Sequence, residues 1–307
     1  MIYKKYLSVL ACPNCKNDIK EIKNFLQCIT CKKKYKLQNG ISQLIEGEKE
    51  KDVILSESKW ENIYKKQSLH RDFKKDKTVL SYKKFVSKYK KYYKDGIYLD
   101  LGCGIAWNSA LLAKEGVSII GIDISYESLC KSIMLFKQEK VDGCFIQGDL
   151  LNLPIKDNSI SFIYSVMSLE YVRDTQKALD EIYRILKPGG VMVAVFPVLS
   201  FTTLTYHQLR GDIPRLPLIH SFWELLHIQI LKGRFMHYGY EQSFSIGFFK
   251  KLIKNANLTL QDIGCFDTFY PLAFIPDIMR SYVRKILRYR FFWPLLFVEV
   301  VKKKHED

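Results

Sequence analysis

The sequence predicts an α/β fold, a mostly parallel seven-stranded sheet with helices on both faces, preceded by a small cysteine-rich module. Three observations carry that expectation. The segment "GIYLDLGCGIAWNSALLAKEGVSIIGID" (96–123) runs from an apolar strand through a glycine turn into a helix and then a second strand. Helical and apolar-strand patterns keep alternating beyond it, as crossover units of a parallel sheet do. Ahead of it, four of the eight cysteines form two C-x-x-C pairs.

Those pairs are "CPNC" (Cys12, Cys15) and "CITC" (Cys28, Cys31), twelve residues apart. Each pair wraps two thiolates around one side of a metal, and a short hairpin between them completes a tetrahedral four-sulfur site. Soft ligands in that geometry favour zinc, and four protein ligands leave no open position for catalysis. Two redox pairs would need the strand–helix setting of a thioredoxin site, which is missing. The start "MIYKKYLSVLACPNC" imitates a secretory signal, but its apolar run from Tyr6 to Ala11 is shorter than the roughly 7–15 residues a signal core needs. The nearest approach to a membrane span, "FFWPLLFVEVV" (291–301), contains Pro294 and Glu299. The expectation is a soluble, cytoplasmic chain, where thiols stay reduced and paired cysteines point to metal.

Residues 48–95 lack glycine and proline and are rich in Lys and Tyr. They read as a basic helical linker or cap of two helices, with Ser56 or Ser58 as an N-cap and Asp95-Gly96 closing the second. Val79, Tyr82, Phe85/Val86 and Tyr89 recur at helical spacing, a stripe that docks on the following domain.

The glycine loop comes next, between a strand at 97–101 and a helix from about residue 106. Its glycines permit close approach of a ligand to the backbone, and Asp123, 21 positions after Gly102 at the next strand end, is placed to accept ribose hydroxyls. Asp100 lies two residues before the first glycine. A pyrophosphate seated at the helix N-terminus would be repelled there, whereas a cofactor with an ammonium and a sulfonium gains from a carboxylate. Asp149, with Leu150, stands at a third strand end, where it can accept the adenine amino group and cover the ring.

Here the chain resembles the class I, Rossmann-like S-adenosylmethionine-dependent methyltransferases, in their broad small-methyltransferase branch. The matching stretches are "LDLGCG", "GIDIS", "GDLLNLPIKDNSISFIYS" and "LDEIYRILKPGGVMVAVFP", across residues 96–200, with the pattern continuing to 303. The resemblance implies S-adenosylmethionine as cofactor. It places Asp100 and the loop Gly102, Cys103 and Gly104 near the methionine part, Asp123 on the ribose, and Asp149 with Leu150 at the adenine, with Ala106 and Ile124 also in the cofactor-binding set. Ala106 stands where the family has a third loop glycine. The stretch at residues 7–47 likewise resembles the zinc ribbon of methyltransferase activators, with Ser42 in place of a usual proline. The implied organisation is a ribbon (1–47), a helical cap (48–95) and a transferase domain (96–307) with an insertion at about 199–240.

The acceptor is less legible. No G-x-S-x-G elbow supports nucleophilic catalysis, and Cys103 reads as a small buried turn residue rather than a nucleophile. The position of the N/D-P-P-Y/F motif of DNA amino-methyltransferases holds Ser165-Val166-Met167-Ser168. Glu170 and Tyr171, after the fourth strand, and His207 and His237, in the aromatic insertion, are the candidate catalytic residues. The insertion suits a small-molecule or lipid-like acceptor. The net charge of +16 and its basic flanks keep rRNA or tRNA as the alternative partner, and a non-catalytic, partner-regulating protein as another. A helix at 275–294 with Arg280, Arg284, Lys285, Arg288 and Arg290 would suit peripheral membrane contact.

Overall fold

A computed structural model describes residues 4–46, 51–69, 72–200, 212–216, 219–234, 236–266 and 295–304, with single positions between 278 and 293. After the short helix α1 (Lys4–Leu7) come four small strands, β1 (Ile19–Ile22), β2 (Phe25–Cys28), β3 (Lys34–Gln38) and β4 (Ile41–Gln43). The turn between β3 and β4 is Asn39-Gly40, both at positive φ (54° and 82°), the pairing that suits a two-residue hairpin. Three helices follow: α2 (Lys51–Lys66), α3 (Lys77–Ser87) and α4 (Lys90–Tyr93). The expected N-cap serines 56 and 58 lie inside α2. The cap found instead is Asp76 on α3, whose side chain accepts from the Thr78 and Val79 amides. The single helix expected at 78–96 is broken between α3 and α4. There the Tyr89 hydroxyl donates to Glu299 (2.9 Å) and its ring stacks on Phe162, a tertiary anchor that local propensity does not reveal.

The α/β unit proper comprises β5 (Ile97–Leu101), α5 (Trp107–Ala113), β6 (Ser118–Asp123), α6 (Tyr126–Glu139), β7 (Cys144–Gln147), β8 (Ile160–Val166), α7 (Thr175–Ile185) and β9 (Leu186–Pro197). The insertion adds β10 (Ile213–Arg215), a short helix α8 (Ile219–Glu224) and β11 (Gln242–Phe244). Helix α9 (Ile246–Asn255) and strands β12 (Thr259–Cys265) and β13 (Leu295–Val301) complete the sheet. The expected seven strands occur in the order β7-β6-β5-β8-β9-β13-β12, with β13 antiparallel to both neighbours. Four more strands extend the sheet beyond β7. Strand β4 pairs in parallel with β7, Ser42 opposite Ile146, so the cysteine-rich module continues the main sheet.

Alternation along the strands divides the interior into two layers. Leu99, Leu101, Ile120, Ile122 and Ile146 face α7, α9 and the module residues Leu10, Leu26 and Tyr35. Tyr98, Ile119, Phe145 and Phe162 face the stripe of α3 and the inner sides of α5 and α6. Helix α7 buries Thr175, Ala178, Leu179, Ile182 and Ile185, the spacing of one helical face. No helix among the described residues is long and apolar enough to cross a membrane. The basic helix expected at 275–294 lies largely outside the described residues.

Candidate functional site

The chain runs outward from β5 to β6 and β7, then returns to the other side of β5 as β8. That reversal opens a crevice at the carboxyl ends of the strands, where open α/β sheets bind ligands. The glycine loop fills its floor. The amides of Gly102 and Cys103 both donate to the Ile122 carbonyl, at 2.8 and 3.1 Å. Gly102 has φ 69°, and a methyl there would sit 2.1 Å from Ser168 Oγ. A methyl on Gly104 (φ 53°) would meet the Tyr64 hydroxyl at 2.7 Å. Ala106 also adopts the left-handed region (φ 58°), as does Met167 (φ 52°) on the opposite wall. For non-glycine residues that conformation costs about 1–2 kcal/mol each.

Asp123 is buried and accepts the Gly104 amide on Oδ2 (2.8 Å) and the Ser125 amide on Oδ1 (2.9 Å), which fixes the carboxylate with acceptor capacity to spare. Desolvation by burial raises its pKa. Asp100 accepts the Ser109 hydroxyl, and its pKa is pushed up to about 7, first by burial and then by the neighbouring Asp123 charge, with Ser109 opposing. Asp149 takes the Leu151 amide at 2.9 Å. Cys103 has its thiol raised well above the ordinary value by burial, with Asp123 and Asp100 adding to it. A thiol so held is protonated and a poor nucleophile.

Two adjoining cavities lie over this floor, of about 840 and 970 Å³ with their open mouths included. Gly102, Asp123, Ile124, Asp149 and Leu150 line the first. Asp100, Cys103, Gly104 and Ala106 line the second, together with Gly102. The structure thus brings all nine residues of the expected cofactor set around one crevice.

The residues that divide and roof the crevice were not anticipated. Trp60 and Tyr64, one helical turn apart on α2, line both cavities, as does Met167. Trp60 stacks on Tyr64 and Tyr238 and meets the edge of Tyr171, with centroids 5.1–5.5 Å apart. Lys131 of α6 donates to the carbonyls of Tyr64 and Gln67 at the end of α2, and Lys59 donates to Gly233 of the insertion (2.9 Å). Helix α2 is therefore pinned across the site from both sides. The i, i+4 spacing of Trp60 and Tyr64 was visible in the sequence, but nothing there names the surface they cover.

The catalytic candidates separate. Tyr171 lines the first cavity. Glu170 is fully buried, neither carboxyl oxygen has a hydrogen-bond partner among the described residues, and burial raises its pKa well above the usual range, with Glu241 and Asp212 adding to it. His237 is exposed and packs its ring edge on Tyr238 (4.5 Å). His207 lies outside the described residues.

In the cysteine-rich module, Cys12, Cys15, Cys28 and Cys31 converge with their sulfurs all within 4.8 Å of one another. Cys12 and Cys31 are 3.6 Å apart and Cys15 and Cys28 3.4 Å. The Thr30 and Cys31 amides point at Cys28 Sγ (3.4 Å each), and the Tyr35 hydroxyl lies 3.1 Å from Cys12 Sγ.

Comparison with known proteins agrees with this geometry. Residues 99–194 match the family model described as a methyltransferase domain. A malonyl-[acyl-carrier protein] O-methyltransferase from Pectobacterium atrosepticum is 31% identical over 94 residues, covering 31% of this chain and 36% of the relative. A demethylmenaquinone methyltransferase from Paenarthrobacter aurescens is 37% identical over 95 residues, again 31% of this chain and 36% of the relative. The chain thus spans little more than a third of these relatives' length. Among solved structures, a geranyl diphosphate C-methyltransferase from Streptomyces coelicolor A3(2) superposes with TM-score 0.52 at 14% identity, covering 73% of this chain and 77% of that one. That likeness is one of fold. Most of β5, strands β6 to β8 and most of β9, with the glycine loop and the three carboxylates, thus lie within a segment that matches the methyltransferase-domain family.

Proposed function

We propose that the protein is an S-adenosylmethionine-dependent methyltransferase acting on a small-molecule or lipid-like acceptor, with a structural zinc in its N-terminal ribbon. The observation that carries the reading is the convergence of Asp100, Asp123 and Asp149 with the glycine loop in one roofed crevice. In it, Asp123 receives the ribose hydroxyls, Asp149 and Leu150 hold the adenine, and Asp100 faces the cationic methionine end. When bound, the cofactor supplies an electrophilic methyl on a sulfonium. The chain's own contribution is positional: displacement is in line, and orientation removes much of the barrier. Trp60, Tyr64, Met167 and Tyr171 exclude water and fix the acceptor's approach. Glu170, fully buried and lining neither cavity, is not placed to act as a base toward the acceptor. The enclosed, aromatic wall favours a compact apolar acceptor over a base presented on RNA.

The four cysteines fit zinc. A tetrahedral ion with bonds of about 2.3 Å needs sulfurs about 3.8 Å apart, close to the observed 3.4 and 3.6 Å. Cys12, Cys15, Cys28 and Cys31 would hold it with all positions filled, which suits a fold-stabilising role. On this reading the organisation is ribbon (1–47), helical cap (48–95) and transferase domain (96–307).

Calorimetry with S-adenosylhomocysteine tests the cofactor reading. Wild type should bind, and Asp123→Ala should lose at least about tenfold in affinity, the scale of one charge-assisted contact. Absence of wild-type binding would remove the proposal. Transfer of labelled methyl into extract fractions then sorts small-molecule, lipid and RNA acceptors.

A further inference from the structure

The insertion turns an apolar face outward. Helix α8 continues as a π-helical turn, Leu225–Ile230, and this stretch exposes Ile219 (44%), Phe222 (59%), Leu225 (44%) and Ile230 (62%). Its other side is occupied. Trp223 and Ile228 pack on Ile213, Met236 and Tyr240, and Glu224 accepts the hydroxyl of Tyr240, which lines the first cavity, at 3.1 Å. Lys232 and Arg234, both exposed, follow at its end. The segment between β12 and β13 repeats the pattern. There Ile278, Met279, Tyr282 and Tyr289 are 55–81% exposed, and Lys285 holds its ammonium 5.7 Å from the centre of the Tyr282 ring. Eight of the thirteen large hydrophobic side chains exposed among the described residues thus fall in two short stretches. Such concentration marks an interaction surface rather than the ordinary scatter of apolar side chains. Both stretches belong to connections that leave the sheet at one edge. Strand β12 is antiparallel to β13 and β13 to β9, so β9 and β12 run the same way as β5 and end at the carboxyl edge that holds the crevice.

We propose that the protein docks on the surface of an anionic lipid bilayer through these two exposed faces. Charge complementarity selects that partner. Residues 267–294 carry Arg280, Arg284, Lys285, Arg288 and Arg290 against Asp267 and Asp277, and Lys232 and Arg234 follow the first face. Apolar and aromatic side chains flanked by cations suit a headgroup layer. The rings and branched chains enter the acyl boundary while the cations stay with the lipid phosphates. A bilayer also accepts separate apolar side chains without matching their shape. A second copy of the chain would instead bring two net charges of +16 together. Docking through these connections brings the carboxyl edge of the sheet, and the crevice in it, to the membrane.

Vesicle sedimentation with the full chain tests this, using phosphatidylcholine alone and phosphatidylcholine mixed with phosphatidylglycerol. The anionic vesicles should bind at least about tenfold more tightly, since each lysine or arginine at the surface contributes about fivefold. Raised salt should weaken that binding. Phe222→Ser with Ile230→Ser, and separately Ile278→Ser with Tyr282→Ser, should each lower the affinity about tenfold, the share of one apolar side chain withdrawn from water. All four side chains are exposed, so the melting temperature should stay at the wild-type value, and Phe222→Trp should bind as wild type does. Lys232→Glu with Arg234→Glu should remove most of the preference for anionic vesicles. Equal binding to both vesicle types overturns the proposal, as does binding to neither, or an affinity that either serine pair leaves unchanged. Self-association without vesicle binding, abolished by Phe222→Ser with Ile230→Ser, gives that face to a second copy and overturns it too. Vesicle binding is read without cofactor, so its failure and failure of the transferase reading are told apart.

Discussion

At Gly102 the left-handed φ and the Ser168 hydroxyl leave space for a hydrogen alone. Gly102→Ala should cost about 1–2 kcal/mol for the backbone and about 1–3 kcal/mol for the overlap. Adding Ser168→Gly should recover the overlap share only, since the Ser168 Cβ is itself 2.6 Å from the new methyl. Urea denaturation of the two variants measures both shares, and no recovery in the double variant would clear Ser168 as the obstacle. Asp100 makes a second residue-scale prediction. Its native pKa of about 7 lies above the roughly 3.9 of an unfolded aspartate. Between those values the native state holds a proton that the unfolded chain has released. The Asp100 contribution to stability is therefore full below about pH 4 and is lost as pH rises toward about 7. A cation beside Asp100 favours the carboxylate, so S-adenosylmethionine binding should release a proton and strengthen from about pH 6 to about pH 8, by at most tenfold per pH unit. Calorimetry in buffers of different ionisation heat reads this release directly, and Asp100→Asn should abolish it.

Among the elements, α2 couples the roof to the floor. Its Trp60 makes three aromatic contacts, each worth about 0.5–1.5 kcal/mol beyond area burial. Trp60→Ala should free the helix, raise hydrogen exchange across 51–66 and lower S-adenosylhomocysteine affinity about tenfold, the equivalent of one such contact. Unchanged affinity would show that the roof is not part of the cofactor site. This helix also shows where sequence reading stops. The glycine loop and its aspartates were legible because a strand, a tight turn and a carboxylate at the next strand end are local patterns with fixed spacing. Helix α2 was legible as a helix, but its docking depends on Lys131 and Glu127 of α6, some 66 residues away in sequence. Strand β4 has three residues, too few for periodicity to register, so the joining of ribbon and sheet was invisible.

On the scale of the whole molecule, the cysteine-rich module is the end of the sheet and a brace for the Asp149 side of the crevice. Strand β4 covers β7, and Leu44 donates to the Gln147 carbonyl at 2.9 Å. Ala11 donates to Pro154 O and Lys156 to Val9 O, tying down the segment that follows Asp149. Lys16, beside Cys15, reaches Asn152, the Leu153 carbonyl and Glu181 (3.1 Å), and Arg184 grips the same Glu181 and Leu153 carbonyl. With zinc held by the four cysteines, as proposed, a module this small would depend on the metal to fold. Stripping zinc should therefore unpair β4, expose β7 as a bare edge prone to association, and loosen the 149–155 segment. Chelator treatment is expected to lower the melting temperature, weaken S-adenosylhomocysteine binding and raise light scattering together, with zinc restoring all three. Lys16→Ala separates brace from metal. It should keep the one zinc per chain that the proposed four-cysteine site predicts, yet lose about two- to fivefold in S-adenosylhomocysteine affinity, the worth of one partly exposed ion pair and its hydrogen bonds. Wild-type affinity in Lys16→Ala, alongside chelator-insensitive binding in the native protein, would mean that the ribbon closes the sheet without supporting the site.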